Sequence, residues 1–383
     1  MPQRNKLFAI RILFVAALAF SCNFLIAQQM PATPAPQSTT GKPAAEAQPS
    51  LTVDRDPVAS PDDTNQPANA AATGSGQVAP SKENGRYVFR TSVEEVVLNV
   101  TVVDGRDRMV TTLTEPDFTV FEDNVQQKIS SFRLEDIPIS LGILIDNSGS
   151  MREKRAAVNR AALDLVRASN PDDEAFIVNF SDDAFLDQDF TSSIEKLQSG
   201  LSHIDSRGGT ALYDAVVASA DHLAKAAKRP KQVLLIITDG EDNSSSTTLE
   251  ETVRRIQDLQ GPIVYSIGLL YGDEGGRESK RAKRALQLLS DETGGLAFFP
   301  KSLAQVDDIA AEVAKDIRNQ YTIGYHSTKP ESEGGYRTIR VVVKASGYGK
   351  LAARTRPGYF PTTQKAPSSG GLSHAPGANK PSH

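Results

Sequence analysis

The stretch Leu141-Gly142-Ile143-Leu144-Ile145-Asp146-Asn147-Ser148-Gly149-Ser150-Met151 constrains this chain more than any other. A run without a polar side chain ends abruptly in a carboxylate and two hydroxyls. Short apolar runs of this kind suit the interior of a parallel sheet. Strands of such sheets present their chemistry at their carboxyl ends. Asp146, Ser148 and Ser150 alternate with Asn147 and Gly149, so a tight loop can turn all three oxygen side chains towards one point. Hard oxygen donors converging in this way suit Mg²⁺ or a similar divalent ion.

Two later stretches have the same character. Gly208-Gly209-Thr210-Ala211-Leu212-Tyr213-Asp214 leads into a helical pattern, and Ile236-Ile237-Thr238-Asp239-Gly240 again ends an apolar run in a carboxylate. Taken in order, the three resemble the metal-ion-dependent adhesion site of von Willebrand factor A (VWA) domains: the DxSxS element, the threonine loop and the second aspartate. The resemblance implies a ligand set of Asp146, Ser148, Ser150, Thr210 and Asp239. Ser148, Ser150 and Thr210 would offer neutral hydroxyls to the ion, and the aspartates would act directly or through water. Mg²⁺ is the expected ion, with Mn²⁺ or Ca²⁺ as alternatives. An ion held mostly by neutral oxygens stays electrophilic, so a partner's Asp or Glu can take its open position.

Around these motifs, 138–320 reads as a doubly wound α/β domain, with apolar strands alternating with helical patterns. Strands are expected at Ser140–Ile145, Glu174–Phe180, Gln232–Ile237, Pro262–Ile267 and Gly295–Phe299, and a short antiparallel edge strand at Ala184–Phe190 would fit the family. Helices are expected at Arg152–Ala168, Ala211–Lys228, Leu249–Leu259, Lys280–Thr293 and Ser302–Gln320. In the last, Leu303, Val306, Ala310, Val313 and Ile317 form one apolar stripe.

On both sides the period changes to two. In 87–137, Val96, Leu98, Val100 and Val102 alternate with their neighbours, and three or four antiparallel strands follow from the pattern. In 321–361, strands are expected at Tyr321–Tyr325, Thr338–Ala345 and Leu351–Thr355. Each β piece is too small to fold well alone. The economical arrangement pairs them into one small β-sandwich-like module with the VWA domain inserted between them. The flanks Leu113–Asp123 and Arg356–Phe360 resemble those of a bacterial secreted VWFA-related family.

Arg4 and Lys6 precede an apolar stretch that carries the only Cys, Cys22. Residues 1–27 read as a secretory signal peptide. A lipidated Cys22 and an uncleaved membrane anchor are the alternatives. The mature chain would then be secreted or held in the periplasm or envelope, without a thiol, a disulfide or a membrane span. Residues 28–86 are rich in Pro, Ala, Ser and Thr and read as a disordered linker, and 362–383 as a disordered tail.

The net charge of −5 and pI near 5.7 give no case for nucleic acid binding. The five His show no ligand spacing. The leading reading is a non-enzymatic, extracytoplasmic protein-binding module that captures a partner's exposed Asp or Glu through the metal. An envelope assembly component with a purely structural metal is the alternative. A metal-dependent hydrolase is disfavoured, because Arg207 is the only cation the sequence sets near the motifs. Asp214 reads as a helix cap or a residue behind the ligands. Asp242 and Asn243, which follow the aspartate loop, read first as ordinary loop polarity, with tuning of the rim as the alternative, and Lys280–Arg284 reads as a solvated basic face. A loop over 271–279 is expected to border the metal face, with no role assigned. The final helix runs directly into the strand at Tyr321, so a shift of that helix would pull on the β module.

Overall fold

The computed structural model describes residues 52–53, 81–83, 86–88, 95–134, 136–168, 170–202, 207–271 and 276–361. The proposed signal peptide, most of the linker, the tail and residues 272–275 of the 271–279 loop lie outside the described residues. The first elements are β1 (Thr52–Val53), β2 (Ser81–Glu83), β3 (Arg86–Val88), β4 (Glu95–Val103), β5 (Phe118–Glu122), β6 (Val125–Gln127) and β7 (Ile129–Arg133). The central ones are β8 (Ile139–Asp146), α1 (Arg155–Arg167), β9 (Glu174–Phe180), β10 (Ala184–Thr191), α2 (Ile194–Gly200), α3 (Leu212–Ala226) and β11 (Lys231–Thr238). There follow α4 (Leu249–Asp258), β12 (Ile263–Gly268), α5 (Arg277–Asp291), β13 (Ala297–Phe298) and α6 (Val306–Arg318). The last are β14 (Tyr321–His326), β15 (Arg337–Val343), β16 (Ala352–Arg354) and β17 (Gly358–Tyr359).

The central sheet has the order β1-β10-β9-β8-β11-β12-β13. β9, β8, β11, β12 and β13 are parallel, and β10 is antiparallel to β9. Every residue of β8, β9 and β12 is buried, which is why their sequences run apolar without alternation. The pleat divides their side chains between two cores. Ile139, Leu141, Ile143 and Ile145 pack with Val158 and Leu165 of α1 and with Val313 and Ile317 of α6. Leu144, Leu234 and Ile236 pack on the other face with Val216 and Leu223 of α3 and with Leu286 and Leu289 of α5. Gly142 also belongs there by register. A Cβ on it would overlap the rings and methyls of Phe176 and Leu234, so glycine lets adjacent strands carry large side chains.

The two β pieces close on one another as the alternation implied. One sheet has the order β16-β4-β14-β7 and the other β17-β15-β5-β6. β4 pairs antiparallel with β14, Leu98 opposite Ile323, across the whole inserted domain. Val96, Leu98, Val100 and Val102 are the buried apolar residues of β4, packed with Phe118, Val120, Tyr321, Ile323 and Tyr325 between the sheets. Within this module Arg337 is wholly buried, with Glu122 at 3.3 Å and the carbonyl of Pro330 at 2.7 Å.

Several boundaries differ from the sequence reading. α1 starts at Arg155 rather than Arg152, because a 3₁₀ turn at Gly149–Met151 and a further turn to Lys154 come first. Leu303 sits in a 3₁₀ turn ahead of α6 rather than in the helix. The sequence reading passed over α2. It is seven residues long, too short to show a period, and its signal is Ser193, whose hydroxyl accepts from Lys196 N–H. Inside the stretch read as a linker, Thr52–Val53 pairs in parallel with Phe185–Leu186 of β10, and β2 pairs with β3, which straddles the linker's expected end. No helix among the described residues is long and apolar enough to cross a membrane.

Candidate metal centre

β8 and β11 are neighbours in parallel register, with Ile145 opposite Ile237, so Asp146 and Thr238 leave the sheet at the same rim. Asp146 is fully buried. Its Oδ1 accepts the Ser148 backbone N–H at 2.8 Å, and its Oδ2 accepts the Thr238 hydroxyl at 2.5 Å. Burial pushes its carboxyl above the usual range, and these two bonds oppose the shift. Ser148 Oγ lies 3.1 Å from Ser150 Oγ, and Ser150 donates to Asp239 Oδ1 at 2.8 Å. Asp239 Oδ2 accepts the ammonium of Lys154.

The threonine loop is tied to the same rim, with the Arg207 N–H donating to the Asn147 carbonyl at 2.9 Å and the Ala211 N–H to the Ser181 carbonyl at 2.6 Å. Gly208 has a φ of +84°, which a side chain would resist, and Asp182 accepts the Gly209 N–H at 2.8 Å. Thr210 donates its N–H to Asn243 Oδ1 at 2.9 Å, and its carbonyl accepts the Asn243 N–H at 3.0 Å. Thr210 Oγ1 would lie 3.5 Å from a Cβ placed on Gly240, beside Asp239. All five candidate ligands are therefore gathered at one rim: Ser148, Ser150 and Asp239 in a hydrogen-bonded row, Asp146 behind them, Thr210 against the aspartate loop. Three hydroxyls and two carboxylates are hard oxygen donors, and that set fits a hard divalent cation. Among the described residues no cluster of three or more His, Cys, Asp or Glu offers an alternative centre.

Residues 141–241 match the family model of the von Willebrand factor type A domain, spanning all three motif loops. The α/β unit is a VWA domain. Among solved structures, it is similar to a von Willebrand factor type A protein from Catenulispora acidiphila, at 14% identity, TM-score 0.42, over 63% of this chain and 72% of that one. It is also similar to the vWF domain of the type V pili tip protein Mfa5 from Porphyromonas gingivalis, at 12% identity, TM-score 0.38, over 48% and 97%. Proximal thread matrix protein 1 from the mussel byssus gives 17% identity, TM-score 0.41, over 52% and 50%. Comparison with curated proteins returns no match. The family model carries the assignment.

The VWA domain's rim also holds residues the sequence reading undervalued. Asn243 and Asp242 are more than loop polarity: Asn243 grips Thr210, and Asp242 accepts the Tyr213 N–H at 3.0 Å at the start of α3. Asp214, in the first turn of α3, caps a neighbour instead of its own helix, accepting from Ser246 N–H at 2.9 Å and Thr247 N–H at 3.0 Å. The basic run is solvated, with Lys280, Arg281, Lys283 and Arg284 exposed, and Arg281 also pairs with Glu241 at 2.6 Å. Arg207 is not the only cation near the motifs. Lys154 contacts Asp239, and the buried Arg155 donates to Asn147 Oδ1 at 2.7 Å. Both lie only a few residues past Ser150, but the turn that folds them back left no signature in the pattern.

Proposed function

We propose that this chain is an extracytoplasmic protein-binding module whose VWA domain captures an acidic side chain of its partner through a divalent metal ion. The arrangement that carries the reading is the row Ser148–Ser150–Asp239, backed by Asp146 and closed by Thr210. Ser148, Ser150 and Thr210 would supply the neutral oxygens, and Asp146 and Asp239 the charge. A divalent ion bound there would supply a Lewis-acidic centre for a partner's carboxylate. Thr238 and the Ser148 backbone fix both oxygens of Asp146, so the negative charge is held at the back of the site instead of at its mouth. Asn243 and Asp182 hold the threonine loop, so Thr210 is already in place before a ligand arrives. The flanks at Leu113–Asp123 and Arg356–Phe360 agree with a secreted VWFA-related protein, and the β module would present the VWA domain to its surroundings.

The test is calorimetry of residues 28–383 with Mg²⁺ and with Mn²⁺, in wild type, Ser150→Ala and Asp239→Ala. It is followed by capture from an envelope extract with Mg²⁺ or with chelator. Saturable binding that both substitutions abolish, and a partner retained only with metal, support the reading. Metal binding that survives both substitutions overturns it. A large metal-dependent rise in melting temperature with no retained partner would assign the metal a structural role.

A further inference from the structure

We propose that Lys154 is a tethered counter-ion of the metal centre, which a divalent cation must displace from Asp239 in order to bind. This rests on the metal reading above. The Asp239 side chain is 1% exposed, so its charge needs a partner within the protein, and Lys154, 21% exposed, reaches it from the rim. Ser150 occupies the other carboxylate oxygen. Both oxygens of Asp239 are therefore committed, and a cation approaching Oδ2 meets an ammonium already there.

The position of Lys154 in its own helix points the same way. It stands immediately before α1, where an oxygen side chain normally caps the exposed N–H groups and where the helix dipole disfavours positive charge. Lys154 supplies no such cap, and the first turn of α1 has no acidic residue. Arg155 follows it, adding a second cation at the same helix end, buried and bonded to Asn147 Oδ1 and, at 3.3 Å, to the Asp146 carbonyl. Local helix chemistry argues against two cations here; Asp239 accounts for Lys154, and Asp187 and Asp146 are the charges that face Arg155. Asp146 and Asp239 thus have positive charge at hand without a metal. When a divalent ion takes Asp239, Lys154 keeps a second resting place, because its Nζ already lies 5.5 Å from the centre of the Tyr271 ring. The exchange sets the metal concentration at which the site fills.

Calorimetry with Mg²⁺ alone, and separately with Mn²⁺ alone, compares wild type with Lys154→Ala and Lys154→Gln. Both variants are expected to bind metal more tightly, by roughly fivefold, the upper range for a partly exposed ion pair. Without metal both should melt below wild type, and at saturating Mg²⁺ that gap should close. Equal or weaker metal affinity in both variants, with wild type binding, overturns the inference alone. Absence of binding in all three proteins overturns the metal reading and this inference with it. If Lys154→Ala does not fold, Lys154→Gln, which keeps most of the side chain, decides.

Discussion

Asp316 on α6 accepts the hydroxyl of Tyr265 on β12 at 2.6 Å, deep between the VWA domain and the β module. The same carboxylate accepts from Thr101 of β4 at 3.1 Å and from Arg354 of β16 at 2.5 Å. Gln320 adds bonds to Thr101 and Tyr265, each at 3.2 Å. One fully buried carboxylate therefore ties the last helix of the inserted domain to its sheet and to the module on either side of it. Burial and the neighbouring Asp316 push the Tyr265 hydroxyl well above its ordinary pKa, so it stays a donor.

Asp316→Ala is expected to destabilise the protein by about 3 kcal/mol, because it strands Tyr265 and Arg354 without an acceptor. Arg354 is a quarter exposed and can partly rehydrate, which keeps the loss at the low end for a buried pair. Urea denaturation measures it. A loss below roughly 1 kcal/mol, the worth of an ordinary exposed pair, would show the knot is not structural. The knot also bears on relay from the metal centre: α6 cannot move past β4 and β16 without breaking it. Hydrogen exchange at Tyr321–Tyr325 should respond to Mg²⁺ more strongly in Asp316→Asn than in wild type.

Lys231 predicts a pH dependence. It is buried beneath α6, donating to the carbonyl of Ile317, and burial pulls its ammonium from 10.5 down to about 8, although Asp316 pulls the other way. Between those two values the unfolded chain holds a proton that the folded chain has released, so stability rises with pH across the window. The full span is worth about 3 kcal/mol. Urea midpoints taken from about pH 8 to about pH 9.5 should rise in wild type relative to Lys231→Met, whose profile lacks this contribution. Parallel profiles would overturn the assignment.

Asn243→Ala tests whether the threonine loop is held for the metal. The substitution removes the acceptor of the Thr210 N–H while leaving every candidate ligand in the chain. Mg²⁺ affinity should fall about tenfold, as for other residues that orient metal ligands. Melting without metal should change little, because the Asn243 backbone N–H still donates to the Thr210 carbonyl. Unchanged affinity by calorimetry would return Asn243 to the role of a loop residue.

Much of the fold was legible because its signals are local. Every residue of β8 and β9 is buried, so their runs are apolar except near their ends, and β4 alternates because only one face meets the sandwich core. The motif residues could be picked out because each stands where an apolar run stops or, for Thr210, where a helical pattern starts. Less legible were Lys154, Arg155, Asn243 and Asp242, whose polarity is commonplace in a loop until its partner is known. Their partners, Asp239, Asn147, Thr210 and Tyr213, belong to other loops or to the far side of a turn.

By itself the sequence determined the alternation of strands and helices, the change of period at either flank, and the oxygen side chains at strand ends. Those follow from burial and backbone period within a few residues. Only the tertiary structure decided that Leu98 faces Ile323, that one aspartate joins three elements, and that a lysine stands against Asp239. Such pairings join residues tens to hundreds of positions apart, and their energy depends on which groups are desolvated together, which no local pattern encodes.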